Sequence, residues 1–196
     1  KCWISFQYRY LESLKFIKNI LKKEKTNGYH LRIYHSDDVR YWHSWEKHNL
    51  SYSCRDDLGG GAFNTLNHAL DIANYLLGIP KSSSIIKTQI SNYTYKCDDA
   101  YEGVMIFPKS DKIKNICSVG SNYASPAKEF FLEATTYDEK YFINLFNGKF
   151  FNISYNDKKF LQKIIIKKGY NPKNIRDKLF LNLLNDFLDN TKNLKC

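Results

Sequence analysis

Six short β-rich runs, at residues 85–95, 100–108, 113–123, 127–137, 140–146 and 149–155, limit what this chain can fold into more than any other feature. Turn signals separate them: Pro108-Lys109-Ser110-Asp111, Tyr137-Asp138-Glu139 and Asn147-Gly148, the last a strong hairpin cue. Connections this short leave no room for crossover helices, so the runs are expected to pair as an antiparallel meander. Ahead of them, residues 2–8 read as a buried strand, and Leu11, Leu14, Ile17 and Leu21 fall at helical spacing. Tyr29, Leu31 and Ile33 alternate as in a second strand. Behind them, Ile175, Leu179, Leu183, Phe187 and Leu188 share one side of a helix that has Pro172 near its start. The pattern predicts an α+β domain, a mostly antiparallel open sheet with helices on one face. One domain is expected over 1–196, with a helical and loop part at 1–80, the sheet at 84–168 and a C-terminal helix at 172–190.

Fifteen Tyr and thirteen Phe exclude a disordered chain. The formal charge of +10 raises a nucleic-acid reading. Its lysines, however, are spread along the chain, and the densest clusters sit on a helix end and beside a loop, as on a solvated face. No nucleic-acid motif accompanies them. The five cysteines form no CxxC pair, and their odd number argues against a closed disulfide framework, so reduced thiols in a cytoplasm are the simplest account. His35, His43 and His48 with Asp37 suit no common zinc spacing, and no metal is expected. No apolar run approaches a membrane span and no signal peptide opens the chain. Its opening, a strand-like stretch without an initiator methionine, is expected of a piece of a longer chain.

Residues 55–80 read Arg-Asp-Asp-Leu-Gly-Gly-Gly and then a helix from Ala62 to about Leu77, closed by Gly78 and Pro80. Ala62, Leu66, Ala69, Leu70, Ala73, Leu76 and Leu77 form its apolar stripe. The opposite side, Gly61, Asn64, Thr65, His68, Asp71 and Tyr75, lacks the Lys and Glu of an ordinary solvent face. Three glycines permit close approach of a ligand and leave first-turn amides open to a negative group. A histidine one to two turns in, with Thr65 a turn earlier, can exchange a proton with a substrate hydroxyl. The competing reading is a packed histidine behind a tight turn. Spacing alone does not separate the two.

The run Tyr52-Ser53-x-Arg55 to Gly59-Gly60-Gly61, followed by Thr65, His68, Asp71 and a Leu-x-Gly stop, resembles the Gfo/Idh/MocA oxidoreductases, the glucose-fructose oxidoreductase and inositol dehydrogenase group. The opening Phe6-Gln7-Tyr8-Arg9 and its following helix are similar to the same family, so the resemblance spans essentially the whole chain. Such proteins carry an N-terminal Rossmann domain with a GxGxxG loop and a Glu-Lys-Pro. This sequence contains neither. The resemblance therefore implies a C-terminal substrate-binding and oligomerisation domain of an NAD(P)-dependent sugar or polyol dehydrogenase, inactive without its cofactor domain. It implies His68 as acid/base and Thr65 as its companion, where many relatives have Asp. A Thr can orient His68 or a substrate hydroxyl but carries no charge. Arg9, Trp45, Tyr52 and Asn64 are implied to line the sugar or nucleotide-sugar site, although core packing also accounts for Trp45. Arg55, Gly60 and Gly61 are implied to meet the cofactor, with an ion pair to Asp56 or Asp57 as the other reading of Arg55. A homo-oligomer through the sheet, without nucleic acid or membrane, completes the expectation, the alternative being a non-catalytic oligomerisation or sugar-binding module.

Overall fold

The computed structural model describes residues 4–24, 27–43, 45–93, 96–156, 159–165 and 175–192, with backbone alone for 154–156, 159–165 and 191–192. The order is α1 (Glu12–Lys23), β1 (His30–Asp38), α2 (Ala62–Thr65), α3 (His68–Leu77), β2 (Ser82–Thr88), β3 (Ala100–Pro108), β4 (Lys114–Asn122), β5 (Ala124–Thr135), β6 (Glu139–Asn144), β7 (Phe150–Asn156), β8 (Lys159–Ile165) and α4 (Ile175–Lys192). Eight strands form one sheet in the order β2-β3-β4-β1-β5-β6-β7-β8. All neighbours are antiparallel except β1 and β4, which run parallel. The α+β reading holds, with one change. The meander is split between β4 and β5 to admit β1, because only a central strand buries both of its edges and one whole face.

One sheet face carries the core. Leu31 and Ile33 of β1, Phe107 of β3, Cys117 and Val119 of β4, Phe130 and Leu132 of β5 and Ile143 of β6 are almost completely buried, together with Leu14 and Ile17 of α1 and Ile72 and Ala73 of α3. The other face carries Tyr34, Phe131, Phe142 and Phe151, all half-buried. The Phe131, Phe142 and Phe151 rings stack in succession at 5.7 and 4.8 Å, and Tyr34 lies 5.9 Å from Phe131.

Four boundaries differ from expectation. Of the predicted strand at 2–8, residues 2 and 3 lie outside the described residues. Gln7–Tyr10 form a 3-10 turn packed against α3 and α4, away from either sheet edge. The predicted helix over 62–77 is two helices, because Leu66 (φ −97°, ψ 35°) and Asn67 (ψ 1°) leave the helical region. The Tyr101 hydroxyl donates to the Leu66 carbonyl at this break, at 3.1 Å. The run 85–95 gives a strand only to Thr88, since the buried Asp99 carboxylate accepts the Ile90 and Ser91 amides at 2.7 and 2.9 Å and turns the chain. On α4, Ile175 and Leu179 are buried as expected, but Phe187 and Leu188 are 37% and 44% exposed. Pro172 lies outside the described residues.

Candidate active site

A cavity of about 680 Å³ opens beside the α2–α3 break. The break places Thr65 at the end of α2 and His68 at the start of α3, and both line the cavity. From the opposite wall β1 presents His35 and Asp37, which share a strand face two residues apart. The β1–β5 register is irregular here: Ser36 faces Glu129, but Asp38 faces Ala124. The Ser36 hydroxyl donates to the Ala127 carbonyl at 3.0 Å across the irregularity, which brings Lys128 to Asp37 at 2.6 Å. Such bulges re-aim side chains near sites. Tyr8, Trp42, His43 and Tyr52 supply aromatic walls, and Arg176 closes one side.

The His68 ring meets Tyr8 edge-on at 5.0 Å and lies 6.1 Å from the His35 ring. Neither nitrogen of His68 has a hydrogen-bond partner among the described residues. Burial pulls its pKa below the usual 6.5, opposed by the Asp71 carboxylate one turn along α3. Asp71 is itself buried, and its charge is met by Arg9, whose Nε donates to both carboxylate oxygens at 3.1 and 3.0 Å and whose Nη2 reaches Oδ1. His35 is 6% exposed, and burial, then the neighbouring His68 and Lys128, push its pKa down to about 3. Burial likewise pushes the Tyr8 phenol up to about 12. His35 and His68 are therefore neutral imidazoles, and Tyr8 a neutral phenol, near pH 7.

Three lining residues hold a buried polar atom without a hydrogen-bond partner: His35 Nδ1, Trp42 Nε1 and Thr65 Oγ1. Thr65 sits beside the Tyr123 phenol, whose oxygen can accept from the threonine hydroxyl while its own O–H donates to the Gly61 carbonyl at 3.1 Å. Buried polar groups are nearly always paired, so His35 Nδ1 and Trp42 Nε1 stand out among the residues around this cavity.

His68, Thr65 and Tyr52 line the same cavity, Tyr52 half exposed. The other expected residues stand elsewhere. Arg9, bound to Asp71, and Asn64, whose amide donates to the Gly60 carbonyl at 3.2 Å, line a shallower depression of about 360 Å³ that does not include His68. Trp45 is 78% exposed, which removes the core-packing reading, and stacks on His43 at 4.8 Å outside the cavity lining. Arg55 is exposed and forms an ion pair with Asp57, the alternative reading of that residue.

The glycines have local causes. Gly59 adopts a left-handed conformation (φ 75°). A Cβ on Gly60 would lie 2.5 Å from the Tyr52 carbonyl, and one on Gly61 (φ 105°) 2.6 Å from Asp98 Oδ1. The expected open amides are closed, since Ala62 N–H donates to the Asp98 carbonyl and Phe63 N–H to its carboxylate, each at 2.8 Å. Asp98 fills the place that an anion would take at the start of α2. The Gly60 and Gly61 amides are likewise paired, with the Arg55 and Ser53 carbonyls at 2.8 Å each.

Sequence reasoning missed Tyr8, His35, Asp37, Trp42 and Lys128 as wall residues. His35 and Asp37 had a signal: they continue in phase the buried row of Leu31 and Ile33, and a polar continuation of an apolar row marks where a core opens into a cavity. His43 and His48 part company, His43 bonding Glu46 at 2.6 Å and His48 lying by Tyr93. Among the described residues no group of three or more His, Cys, Asp or Glu is arranged to hold a metal. Nor is any helix there long and apolar enough to cross a membrane.

No family model matches the sequence, and no curated protein matches it. Solved structures do. The chain is similar to levoglucosan dehydrogenase in complex with NADH (TM-score 0.68, 14% identity, 83% of this chain and 46% of that one). It is similar to an NAD binding oxidoreductase from Klebsiella pneumoniae (TM-score 0.62, 15% identity, 82% and 46%). A third match is UDP-N-acetylglucosamine 3-dehydrogenase from Acidithiobacillus ferrooxidans (TM-score 0.58, 10% identity, 93% and 52%). The fold is that of the C-terminal domain of the Gfo/Idh/MocA-type oxidoreductases. The chain spans about half the length of the solved structures it matches.

Proposed function

We propose that this chain is the substrate-binding domain of an NAD(P)-dependent sugar or polyol dehydrogenase in which His68 exchanges the proton of the reacting hydroxyl. One observation carries the reading: an imidazole with no partner for its nitrogens, kept neutral by burial, stands on the wall of a cavity of sugar-accommodating size. A neutral imidazole is the base form, able to take a hydroxyl proton near pH 7. The imidazolium so formed has the Asp71 carboxylate one turn away to stabilise it. Thr65, held at the end of α2 with its Oγ1 beside the Tyr123 phenol, is the companion of His68 on this wall, fixing the break from which the imidazole projects. Tyr8, Trp42 and Tyr52 supply the flat faces against which a sugar ring packs.

The nicotinamide cofactor supplies the hydride chemistry in this reading. The Gly60 and Gly61 amides are paired within the chain, which leaves the exposed Arg55, held only in a surface pair with Asp57, as the cofactor contact of this domain. Structural neighbours described as complexes with NADH, and with NADH and levoglucosan, support a nicotinamide cofactor and a sugar. The half-buried aromatic row on the outer sheet face supports a homo-oligomer formed through that face. The free thiols of Cys54, Cys97 and Cys117 support a cytoplasmic compartment. The test is turnover of the intact enzyme with its sugar: His68→Ala is expected to lower kcat about 10²-fold or more. Unchanged turnover refutes the role.

A further inference from the structure

We infer that Arg176 anchors an anionic group of the substrate, so that the cavity takes an acidic sugar, one bearing a carboxylate or a phosphate, in preference to a neutral one. The inference rests on the sugar-site reading above and names the substrate class of that site.

The charges around the cavity do not cancel. Among the described residues its acidic and strongly basic lining is Asp37, Lys128 and Arg176. Asp37 and Lys128 neutralise each other at 2.6 Å. The neighbouring carboxylates are also matched, Asp71 by Arg9 and Asp38 by Arg40, while Glu46 bonds His43. Arg176 has no carboxylate partner among the described residues, its guanidinium lying over the Phe180 ring of its own helix at 5.8 Å. His68 and Tyr8 add no charge near pH 7. One positive charge on the wall is left without a counterion.

Packing fixes where that charge stands. Ile175 and Leu179, on either side of Arg176 along α4, are buried, and the helix rests on the Gln7–Tyr10 turn. Farther along, the Tyr10 hydroxyl donates to Asp186 at 2.5 Å. Burial pushes the Tyr8 phenol up, and the Arg176 charge is the first to oppose it. The guanidinium is therefore within Coulombic reach of the ring that meets His68 edge-on at 5.0 Å. A charge in a concave site with low-dielectric walls acts more strongly on a ligand than one on open surface. Its planar fork fits the paired oxygens of a carboxylate or a phosphate. The chain's net charge of +10 attracts anions everywhere, so a distant cation serves as the control.

The experiment is NMR of the chain with ¹⁵N-labelled imidazoles, titrated separately with glucose, glucuronate and glucose 6-phosphate, the His68 ring nitrogens reporting occupancy of the cavity. One or both acidic sugars are expected to bind about tenfold tighter than glucose, the worth of a charge-assisted hydrogen bond. Which of them gains tells a carboxylate from a phosphate. Arg176→Gln alters an exposed side chain and keeps the fold. It is expected to bring the acidic sugar to within about twofold of glucose while glucose binds as before. Lys23→Gln, which removes a charge from the exposed end of α1, is expected to keep the preference. Equal binding of all three sugars, a preference that survives Arg176→Gln, or one lost equally in Lys23→Gln overturns the inference and leaves the sugar site standing. So does an Arg176→Gln variant that weakens glucose by the same factor. No response of His68 to any of the three overturns the sugar reading, and this inference with it.

Discussion

Lowering the pH from about 7 to about 4.5 is expected to cost the native state some 2–3 kcal/mol through His35 alone. In the unfolded chain its imidazole takes up a proton near the usual 6.5, whereas in the native state burial holds it down to about 3. Between those values the unfolded state binds a proton that the native state does not, so stability rises with pH there and falls as pH drops below 6.5. Each pH unit inside this window is worth about 1.4 kcal/mol. The loss is therefore about 1.4 kcal/mol near pH 5.5, about 2.7 near pH 4.5, and complete near pH 3. Carboxylates also titrate over part of the range, so the measurement is a comparison with His35→Phe, which removes the titrating group and keeps a ring against Phe130. Urea unfolding followed by circular dichroism at about pH 7, 5.5 and 4.5 gives both stability curves. His68 contributes with the same sign to both proteins, so only its coupling to His35 stays in the difference. Wild type should converge downward on the variant, or cross it, as pH falls. Two curves that stay parallel to within about 0.5 kcal/mol over that window would refute the burial argument for His35.

Arg9→Ala should destabilise by about 2–3 kcal/mol, because it leaves the Asp71 carboxylate buried without its cation. Asp71→Asn in the same background should restore at least half of that, and chemical denaturation of the single and double variants measures it. A loss under about 0.5 kcal/mol for Arg9→Ala would mean that the pair is decorative. On the outer sheet face, Phe142→Lys interrupts the stack between Phe131 and Phe151, and on the proposal that this face joins copies of the chain it should give smaller species in sedimentation velocity. An unchanged sedimentation coefficient would remove that face from the interface.

Much of the sheet was legible because its strands announce themselves by alternation and short turns, and Asn147-Gly148 sits where β6 gives way to β7. What could not be read was which strands become neighbours. Nothing local to residues 30–38 says that they wedge between β4 and β5, since that choice is made by burial of both edges at long range. The helix break at Leu66–Asn67 was hidden for a similar reason: the Tyr101 hydroxyl that meets it comes from a distant strand. Within the site, His68 and Thr65 could be placed by helical spacing from one segment. Lys128 could not, because it reaches the cavity from a strand far along the chain, and His35 was marked only as a polar residue continuing an apolar row. The glycine triplet was legible as a tight place, yet the residue that occupies the start of α2 is Asp98, some thirty-five positions downstream.

The wedged position of β1 has a consequence for synthesis. Both of its hydrogen-bonding partners, beginning at Ile116 on one side and reaching Thr135 on the other, leave the ribosome long after it does. At ordinary elongation rates the strand waits on the order of ten seconds with two bare edges. A nascent chain cut short before those partners emerge displays an unpaired apolar ribbon ready to join its neighbours on a polysome. The segment that carries His35 is thus translated before either of its neighbours and is secured only once both have emerged.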